Sequence, residues 1–316
     1  MLSLTELEDA ARAVYAAMPP TPQYAWPLLS ERAGCEVWVK HENHTPIGAF
    51  KVRGGIALMA ALSRERPAGL GVVSATRGNH GQSLAFAAGR AAMRAVIVVP
   101  RGNSTEKNAA MRALGAELIE HGHDFDEAVP HARELASKLD LEFVGPFRRE
   151  LVAGVGSYAL ELLRGAAPLD SVYVPIGCGS GICGLISARD ALGLQTEIVG
   201  VVSERADAYA RSVAAGRPVS TDTADTMADG MAVRVPVPEA LDVIRRGAAR
   251  IVTVSEAQIE AAMRHLWTDT HNQAEGAGAA PLAALLAEGA RDRERVAVVL
   301  SGGNVDTAVL ARVLMG

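Results

Sequence analysis

Residues 41–55 have the sequence HENHTPIGAFKVRGG and join the apolar run Val37-Trp38-Val39 to a second apolar run over 56–62. The first run predicts a buried strand and the second a helix, with a Pro/Gly breaker between them. Lys51 therefore stands at a strand-to-helix turn, where the positive end of the helix favours the neutral amine over the ammonium. The neighbouring Phe50 adds apolar surface, and desolvation also lowers a lysine pKa. A neutral amine is what a Schiff-base lysine needs.

Lys51 has an ordinary alternative, because a lysine near a helix start is more often a solvated surface residue. Two observations favour a chemical role. The chain has only four lysines, so few residues compete for a role that only an amine can fill; they are Lys40, Lys51, Lys107 and Lys138. In addition, three polar or glycine-rich turns follow Lys51, each directly after an apolar run.

The composition is that of an ordinary globular protein, with 316 residues of which 49% are hydrophobic and 21% charged. This length allows one large or two medium domains. The net charge is −5 and the 31 basic residues are dispersed, so we expect no nucleic-acid partner. No apolar run reaches the roughly 20 residues that span a bilayer. The first residues do not resemble a signal peptide, so we expect no membrane contact.

The cysteines and histidines also favour a cytoplasmic location and argue against a metal centre. Cys35, Cys178 and Cys183 neither pair evenly nor show zinc spacing, which fits a reducing cytoplasm. The eight histidines are scattered and form no ligand pair. We therefore expect a cytoplasmic protein.

Short apolar, β-branched runs alternate with Ala/Leu-rich helical periods along most of the chain. This alternation predicts an α/β class with buried parallel strands. We expect a smaller domain over 54–145, inserted in a larger domain made of 1–53 and 146–316. Besides the strand before Lys51, the predicted strands are 72–74, 95–99, 117–119, 141–144, 172–174, 198–202, 251–254 and 296–300.

Three other segments have recognisable patterns. Ser3-x-x-Glu6 is a capping box and predicts a helix that ends near Pro19-Pro20. An irregular Pro-rich segment follows over 21–27. The segment 214–237 lacks a clear strand or long helix, and its Gly, Pro, Thr and Asp content predicts loops packed near a site.

The first turn after a strand is Ser74-Ala75-Thr76-Arg77-Gly78-Asn79-His80-Gly81-Gln82. The carboxyl ends of strands are where open α/β sheets bind ligands. The glycines of this turn let the backbone approach a ligand, and Thr76, Asn79 and His80 offer polar groups. The alternative is a plain connection in which Asn or Thr caps the next helix.

The second turn is Pro175-Ile176-Gly177-Cys178-Gly179-Ser180-Gly181-Ile182-Cys183-Gly184. Small residues between a strand and a helix form a nest of backbone N–H groups at a positive helix end, which suits an anion or phosphate. The turn lacks the Lys-Ser/Thr ending of a nucleotide P-loop and the spaced glycines of a dinucleotide fingerprint. A tight structural turn is the alternative.

The third turn is Leu300-Ser301-Gly302-Gly303-Asn304, again at the end of a predicted buried strand. The Ser301 hydroxyl can face a ligand ring there. The alternative is that Ser301 is a helix N-cap.

These motifs, in this order, resemble the fold-type II pyridoxal-phosphate enzymes, and within them the serine/threonine dehydratase and serine racemase family. The resemblance extends from Thr21 to Asp306 and includes Met227-Ala228-Asp229-Gly230. It implies a tryptophan synthase β-like fold, in which two domains have parallel-rich twisted sheets covered by helices. It also implies pyridoxal 5′-phosphate as cofactor, an amino acid as substrate, and a dimeric or tetrameric homo-oligomer.

The resemblance implies a role for each matching residue. Lys51 forms the Schiff base with the cofactor and then moves the proton of the substrate α-carbon. Phe50 flanks the cofactor ring, Asn79 hydrogen-bonds its phenolic oxygen and Ser301 faces the pyridine nitrogen. The substrate α-carboxylate is bound by Thr76, Gly78, Asn79 and His80. The other implied cofactor-binding residues are Gly177, Cys178, Gly179, Ser180 and Gly181, which hold the phosphate, together with Gly230 and Glu275.

The resemblance implies β-elimination from a β-hydroxy amino acid such as L-threonine, L-serine or 3-hydroxyaspartate, with release of a 2-oxo acid and ammonia. Ser301 fits this reaction, because a neutral hydroxyl favours an unprotonated ring and a short-lived carbanion, whereas an Asp would make the ring a deeper electron sink. A racemase or β-replacement enzyme on the same scaffold is the alternative. A pyridoxal-phosphate-binding or sensing protein is the non-enzymatic alternative, although it has no need for Lys51.

Arg77 departs from the family, in which Ser or Ala is common at this position and Ser is the second base of the racemases. Racemase activity is therefore disfavoured. We hypothesise that Arg77 binds a substrate anion, such as the second carboxylate of 3-hydroxyaspartate, because guanidinium suits carboxylate. A structural ion pair is the alternative.

Three other departures concern metal, ring and phosphate contacts. Glu204 and Asp207 lie out of register with the acids that bind a divalent cation in relatives, so we expect no metal site. Glu275 is followed by Gly276 where relatives often have Pro, so it borders the cofactor ring or caps the next helix. Cys178 replaces a usual glycine, and backbone donors survive that change. No regulatory module is recognisable before Gly316, as in the short catabolic dehydratases.

Overall fold

The computed structural model describes residues 2–65, 71–166, 168–289 and 294–316. Within these ranges the predicted α/β class is confirmed, since helices and strands alternate along the chain. The strands are β1 Gln23–Ala25, β2 Glu36–His41, β3 Val72–Ala75, β4 Ala95–Val99, β5 Glu117–Glu120, β6 Glu142–Phe143, β7 Ser171–Pro175, β8 Glu197–Ser203, β9 Arg250–Val254 and β10 Arg295–Leu300.

The α-helices cover the sheets, and two short 3-10 helices lie at Glu42–His44 and Asp229–Met231. The helices are α1 Leu4–Tyr15, α2 Pro27–Ala33, α3 Lys51–Glu65, α4 Asn79–Arg90, α5 Thr105–Ala113, α6 Phe125–Leu139, α7 Arg149–Gly165, α8 Ser180–Ala191, α9 Ala208–Ala215, α10 Pro238–Gly247, α11 Glu256–Thr270, α12 Gly276–Glu288 and α13 Thr307–Met315.

The described strands form two sheets. One has the order β1-β2-β10-β7-β8-β9 and the other the order β5-β4-β3-β6. The smaller sheet lies entirely within 54–145, the range predicted for the smaller domain; the domain boundaries themselves stay a prediction. The segment 214–237 contains only the end of α9 and one 3-10 turn, in agreement with the predicted loops.

The parallel pairing of the predicted strands is confirmed, but two expectations about strands are wrong. β5, β6 and β9 are only partly buried, because each is the edge of its sheet and has one neighbour. The Pro-rich segment 21–27 is not wholly irregular. It contains β1, which pairs antiparallel with β2 and so covers the other edge of the larger sheet.

The capping box at the start of the chain is confirmed. The backbone N–H of Glu6 donates to Ser3 Oγ at 3.3 Å, and the Glu6 carboxylate accepts from the Ser3 N–H at 2.8 Å. The helix ends at Tyr15, earlier than the proline pair that was expected to stop it.

Helix α3 begins at Lys51, one turn before the apolar run that predicted it. Gly54 and Gly55 lie inside the helix, and two neighbouring helices pass very close to them. A Cβ on Gly54 would lie 2.9 Å from the Leu151 carbonyl oxygen, and one on Gly55 would lie 2.7 Å from the Ser83 carbonyl oxygen. The glycine pair therefore marks tight helix packing at this position and not a loop.

A buried charge network fixes the first turns of α3. The side chain of Arg53 is 0% exposed and binds the carboxylates of Glu42 and Glu161 at 2.7 Å each. Lys40, also 0% exposed, donates to the Thr21 carbonyl at 2.9 Å and binds Glu161. The pKa of the Arg53 guanidinium is raised. Burial alone would lower this pKa, but the carboxylates of Glu42 and Glu161 outweigh the effect of burial. The network thus ties α3 to α7, β2 and the segment before β1.

The strand order brings three of the turns singled out in the sequence together. β2, β10 and β7 are neighbours in the larger sheet and run parallel. Lys51, Ser301 and Gly177 follow these strands in turn. Since the carboxyl ends of parallel strands meet at one edge of a sheet, that edge collects all three.

Candidate functional site

One cavity of about 570 Å³ lies at this edge. It is lined by every residue to which the sequence assigned cofactor or substrate binding. These residues are Phe50, Lys51, Thr76, Arg77, Gly78, Asn79, His80, Gly177, Cys178, Gly179, Ser180, Gly181, Gly230, Glu275 and Ser301. The structure therefore brings the predicted residues together, while the role of each one stays a prediction.

Lys51 is the first residue of α3, and its amine points into the cavity wall formed by α8. Lys51 Nζ lies 3.2 Å from Ser180 Oγ and 5.2 Å from the centre of the Phe50 ring. No carboxylate of the described residues forms an ion pair with this amine. Burial lowers the pKa of Lys51, because the ammonium loses its hydration and gains only distant negative charge. The result is an amine that loses its proton more readily than an exposed lysine.

The small-residue loop 177–181 joins β7 to α8. Gly179 has a φ of +96°, which favours glycine. A Cβ on Gly177 would lie 2.1 Å from the carbonyl oxygen of Gly230, so the two backbones can approach only without a side chain. The N-cap residue of α8 is Gly179, which has no side chain to bond to the first turn of the helix. The leading N–H groups of α8 therefore remain available to an anion.

Two tyrosines fix the same loop from behind. Tyr209 Oη donates to the Cys178 carbonyl and Tyr158 Oη donates to the Gly181 carbonyl, both at 3.2 Å. These bonds hold two backbone carbonyls of the loop, and the survival of the backbone donors at Cys178 stays a prediction. An uncapped helix start, a rigid small-residue loop and a buried amine beside it are a fitting donor set for a phosphorylated aldehyde.

The half-buried Asn79 and the buried Glu275 form a pair in the cavity. Asn79 Nδ2 donates to the two Glu275 carboxylate oxygens at 2.8 and 3.1 Å, and Asn79 Oδ1 accepts from Asn304 Nδ2 at 2.8 Å. Burial raises the pKa of Glu275. Glu275 occupies the N-cap position of α12, but its carboxylate makes no capping bond, so the capping alternative for its side chain is wrong.

Ser301 follows β10 and lies next to the Lys51 turn. The Phe50 N–H donates to the Ser301 carbonyl at 2.9 Å, and an isolated bridge joins Ala49 to Gly302. Ser301 is not a helix N-cap, because α13 starts only at Thr307 with Asp306 as its N-cap. Within the described residues the Ser301 hydroxyl has no protein partner, and it faces the cavity.

The turn after β3 opens α4, whose N-cap is Gly78. No side chain caps this helix, so the alternative that Thr76 or Asn79 is a cap is wrong; Thr76 Oγ1 instead accepts from the Gly78 N–H at 3.1 Å. His80 is buried, and desolvation lowers its pKa to about 3. One of its ring nitrogens bonds to the Val144 carbonyl, while Nε2 has no partner among the described groups.

Arg77, in contrast, is exposed to the cavity. It forms no ion pair with any described residue, so the alternative of a structural ion pair finds no support in this part of the chain. Its guanidinium is therefore open to a ligand.

Sequence reasoning missed three polar residues of the site. Lys107 on α5 binds Asp229 at 2.7 Å, and both line the cavity; Asn304 orients Asn79. Each had a signal, since Lys107 is one of only four lysines and the other two residues stand in quoted motifs.

The described ranges contain no group of three or more His, Cys, Asp or Glu that could hold a metal ion, and within them no helix is long and apolar enough to cross a membrane.

Residues 14–302 match the pyridoxal-phosphate dependent enzyme family. The chain belongs to this family. The predicted cofactor and the resemblance to this enzyme class are thereby confirmed.

Relatives within this pyridoxal-phosphate family include two named after threonine. The chain is 35% identical to the L-threonine dehydratase biosynthetic IlvA of Pasteurella multocida, over 93% of this chain and 58% of that protein. It is 33% identical to the L-threonine ammonia-lyase of Thermotoga maritima, over 99% of this chain and 78% of that protein. The chain thus spans little more than half the length of the Pasteurella relative.

Solved structures of the family superpose closely on this one. A crystal structure of a pyridoxal 5′-phosphate-dependent aspartate racemase has a TM-score of 0.93 at 25% identity and covers 98% of both chains. A crystal structure of the T.th. threonine deaminase has a TM-score of 0.90 at 34% identity, over 96% of this chain and 99% of that one. These neighbours confirm the predicted fold class and show that proteins of different reaction names share it.

Proposed function

We propose that this pyridoxal-phosphate enzyme is an ammonia-lyase that dehydrates and deaminates a β-hydroxy amino acid, such as L-threonine, L-serine or 3-hydroxyaspartate, to a 2-oxo acid and ammonia. The observation that supports it most is the half-buried amine of Lys51, which lies beside Ser180 at the start of α8 and has a lowered pKa. The threonine-named relatives support the reaction type.

The cavity residues fit the cofactor in the following way. The small-residue loop 177–181 and the first N–H groups of α8 would hold the phosphate. Phe50 and Gly230 would flank the ring, Asn79 would lie at its phenolic oxygen with Glu275 behind it, and Ser301 would lie at the pyridine nitrogen. When bound, pyridoxal phosphate supplies an aldehyde for the amine and a ring that accepts electrons from the α-carbon.

Lys51 would move the proton at the substrate α-carbon. A base must be unprotonated to accept a proton, and burial lowers the pKa of this amine toward that state. The substrate α-carboxylate would lie at the start of α4, near Thr76, Gly78 and Asn79, where helix N–H groups and dipole favour an anion. His80 would contribute through its backbone, because the bare lone pair of Nε2 repels a carboxylate.

Arg77 disfavours the racemase alternative. A racemase needs a second base on the opposite face of the substrate, and a guanidinium stays protonated at neutral pH. Ser301 would place a neutral hydroxyl at the ring nitrogen, which suits loss of a β-substituent better than the chemistry that an Asp would support there. Elimination is therefore the reaction that these residues suit best.

The proposal also covers the organisation of the molecule. We place a smaller domain at 54–145 within a larger one made of 1–53 and 146–316, in a homo-oligomer that acts in the cytoplasm. Separate sheets in the two ranges support the division.

The test uses the purified protein loaded with pyridoxal phosphate. We expect a visible absorbance band that is lost on hydride reduction and absent from Lys51→Ala, together with 2-oxo acid release from β-hydroxy amino acids of both Cβ configurations. The matched control is Lys138→Ala, because Lys138 is an exposed lysine paired with Glu134 on α6. A wild-type protein without the band, or a Lys51→Ala protein with unchanged release, would refute the proposal.

A further inference from the structure

Two guanidinium groups line the cavity without a carboxylate partner among the described residues. Arg77 follows Thr76 in the turn before α4, and Arg133 lies on α6. Both are exposed to the cavity. Since an extended chain spans at most about 3.6 Å per residue, the Cα atom of Arg77 lies within about 7 Å of the Cα atom of Asn79. Arg77 is thus close to the groups proposed to bind the substrate.

The other cations of the cavity are occupied or assigned. Lys107 binds Asp229 at 2.7 Å, Arg234 donates to the Asp222 carbonyl at 3.3 Å, and Lys51 lies at Ser180. Among the described residues that line the cavity, only Arg77 and Arg133 offer a guanidinium fork that no protein oxygen fills.

Helix α6 presents one face to the cavity. Phe125, Val129 and Arg133 all line it, and their spacing of four residues places them on the same side of a helix. The guanidinium carbon of Arg133 lies 4.2 Å from the centre of the Phe143 ring, so the ring orients the group without neutralising it. This wall combines apolar surface with a fixed positive charge.

We propose that Arg77 and Arg133 are specificity-determining residues that bind a carboxylate on the substrate side chain, so that the preferred substrate is a dicarboxylic β-hydroxy amino acid. This inference rests on the proposed function and names its substrate class. Guanidinium binds carboxylate through two parallel hydrogen bonds, which gives geometric selection as well as attraction. A neutral side chain such as that of threonine would leave both forks unfilled.

The acidic residues of the cavity are mostly engaged, which favours an anion over a cation at this wall. Asp124 accepts from the Glu127 N–H at 2.9 Å as the N-cap of α6. Asp229 is paired with Lys107, and Glu275 accepts from Asn79. Asp222 and Asp225 also line the cavity, and a preference for a side-chain amine is therefore the competing outcome of the test.

The first experiment compares kcat/KM for 3-hydroxyaspartate and threonine in the holoenzyme. We expect wild type to prefer 3-hydroxyaspartate. Arg77→Gln should lower kcat/KM for 3-hydroxyaspartate by about 10- to 100-fold, as expected for loss of a charged hydrogen-bonded pair, and change that for threonine by less than about threefold. Arg133→Gln should act in the same direction with a smaller loss. Equal losses on both substrates would overturn the proposal.

The second experiment measures binding without turnover, by calorimetry of the holoenzyme with succinate, butyrate and 4-aminobutyrate. All three are four-carbon acids. At the far end, succinate carries a second carboxylate, butyrate carries no charge and 4-aminobutyrate carries an ammonium. We expect succinate to bind most tightly and to lose its advantage in Arg77→Gln, but not in Arg101→Gln, which removes an exposed arginine outside the cavity. Tightest binding of 4-aminobutyrate, or an advantage of succinate that survives Arg77→Gln, would overturn the inference.

The two experiments also separate this inference from the proposed function. If wild type releases no 2-oxo acid from either substrate, the lyase proposal fails. The dicarboxylate preference is then still decided by the binding experiment.

Discussion

Two clusters of charge lie on either side of the first turn of α3, and they are built differently. In the network beneath it, Arg53 fills all its contacts with protein oxygens, from Glu42, Ser157, Glu161 and Thr21. In the cavity above it, Lys51 has one hydroxyl neighbour, and Arg77 has no carboxylate partner in the described part of the chain. Lys51 and Arg53 lie on the same helix, and only one residue, Val52, stands between them.

The difference shows how burial of charge distinguishes structure from chemistry. A buried ion is tolerated when opposite charges and hydrogen bonds replace its hydration, and the Arg53 network meets that condition. Lys51 is half-buried without such partners, and the burial lowers the pKa of its amine, so the charged form is disfavoured. Incomplete partnering in a buried or cavity-lining group is therefore the feature that marks this site.

The largest expected effect is on the Arg53 network. Arg53→Met would leave the carboxylates of Glu42 and Glu161 buried without their main cation, and should lower the free energy of unfolding by about 3–5 kcal/mol in urea denaturation. Lys51→Met, in contrast, removes a desolvated amine and replaces it with a side chain of similar length, so the apoprotein should not become less stable. Comparable losses in the two variants would contradict the distinction between the clusters.

The next effect is expected in the small-residue loop. Gly177→Ala places a Cβ 2.1 Å from the Gly230 carbonyl oxygen, and this clash of backbones should cost about 1–3 kcal/mol in the free energy of unfolding. Gly181→Ala is the matched control, because its nearest new contact, Tyr158 Oη, lies at 3.5 Å. Thermal denaturation of both apoproteins measures the difference, and equal stability would show that the loop has room.

The smallest expected effect is a pH dependence beside the network. Burial lowers the pKa of His41 to about 4, against an unfolded value near 6.5. Between about pH 6.5 and 4, His41 therefore binds a proton in the unfolded chain but not in the folded chain. The free energy of unfolding falls as the pH falls through this window. The slope is at most about 1.4 kcal/mol per pH unit. His41→Gln, which can still accept from Trp26, should show a shallower decline in urea denaturation, and identical slopes would remove His41 as its source.

The repeating pattern of the sequence predicted the fold well, because buried parallel strands require apolar runs. The apolar run before Lys51 is β2, and it pairs in parallel with β10, in agreement with the predicted parallel strands. The prediction failed where tertiary contact decides. β1 has only three residues and forms because β2 has a free edge, and α3 starts early, with Gly54 and Gly55 packed against other helices.

The candidate site divides in the same way. Lys51, the 177–181 loop and Ser301 follow strands, and strand ends are recognisable in sequence. Lys107 and Asp229 are distant in sequence and meet only across the cavity. Arg133 lies on an amphipathic helix whose periodicity shows a face but not what that face adjoins. The sequence marked Lys107 as one of four lysines and Asp229 as part of a motif, but pairing across a cavity has no local pattern, so neither was assigned to the site.

The backbone bridge from Ala49 to Gly302 has a consequence for biosynthesis. A nascent polypeptide leaves the ribosome with its lysine turn early, while the segment that clamps this turn has not yet been translated. Until residue 302 emerges, the turn lacks the Ser301 carbonyl that receives the Phe50 N–H. We therefore expect stable cofactor binding to follow translation of β10, and a polypeptide that ends before β10 to retain pyridoxal phosphate poorly.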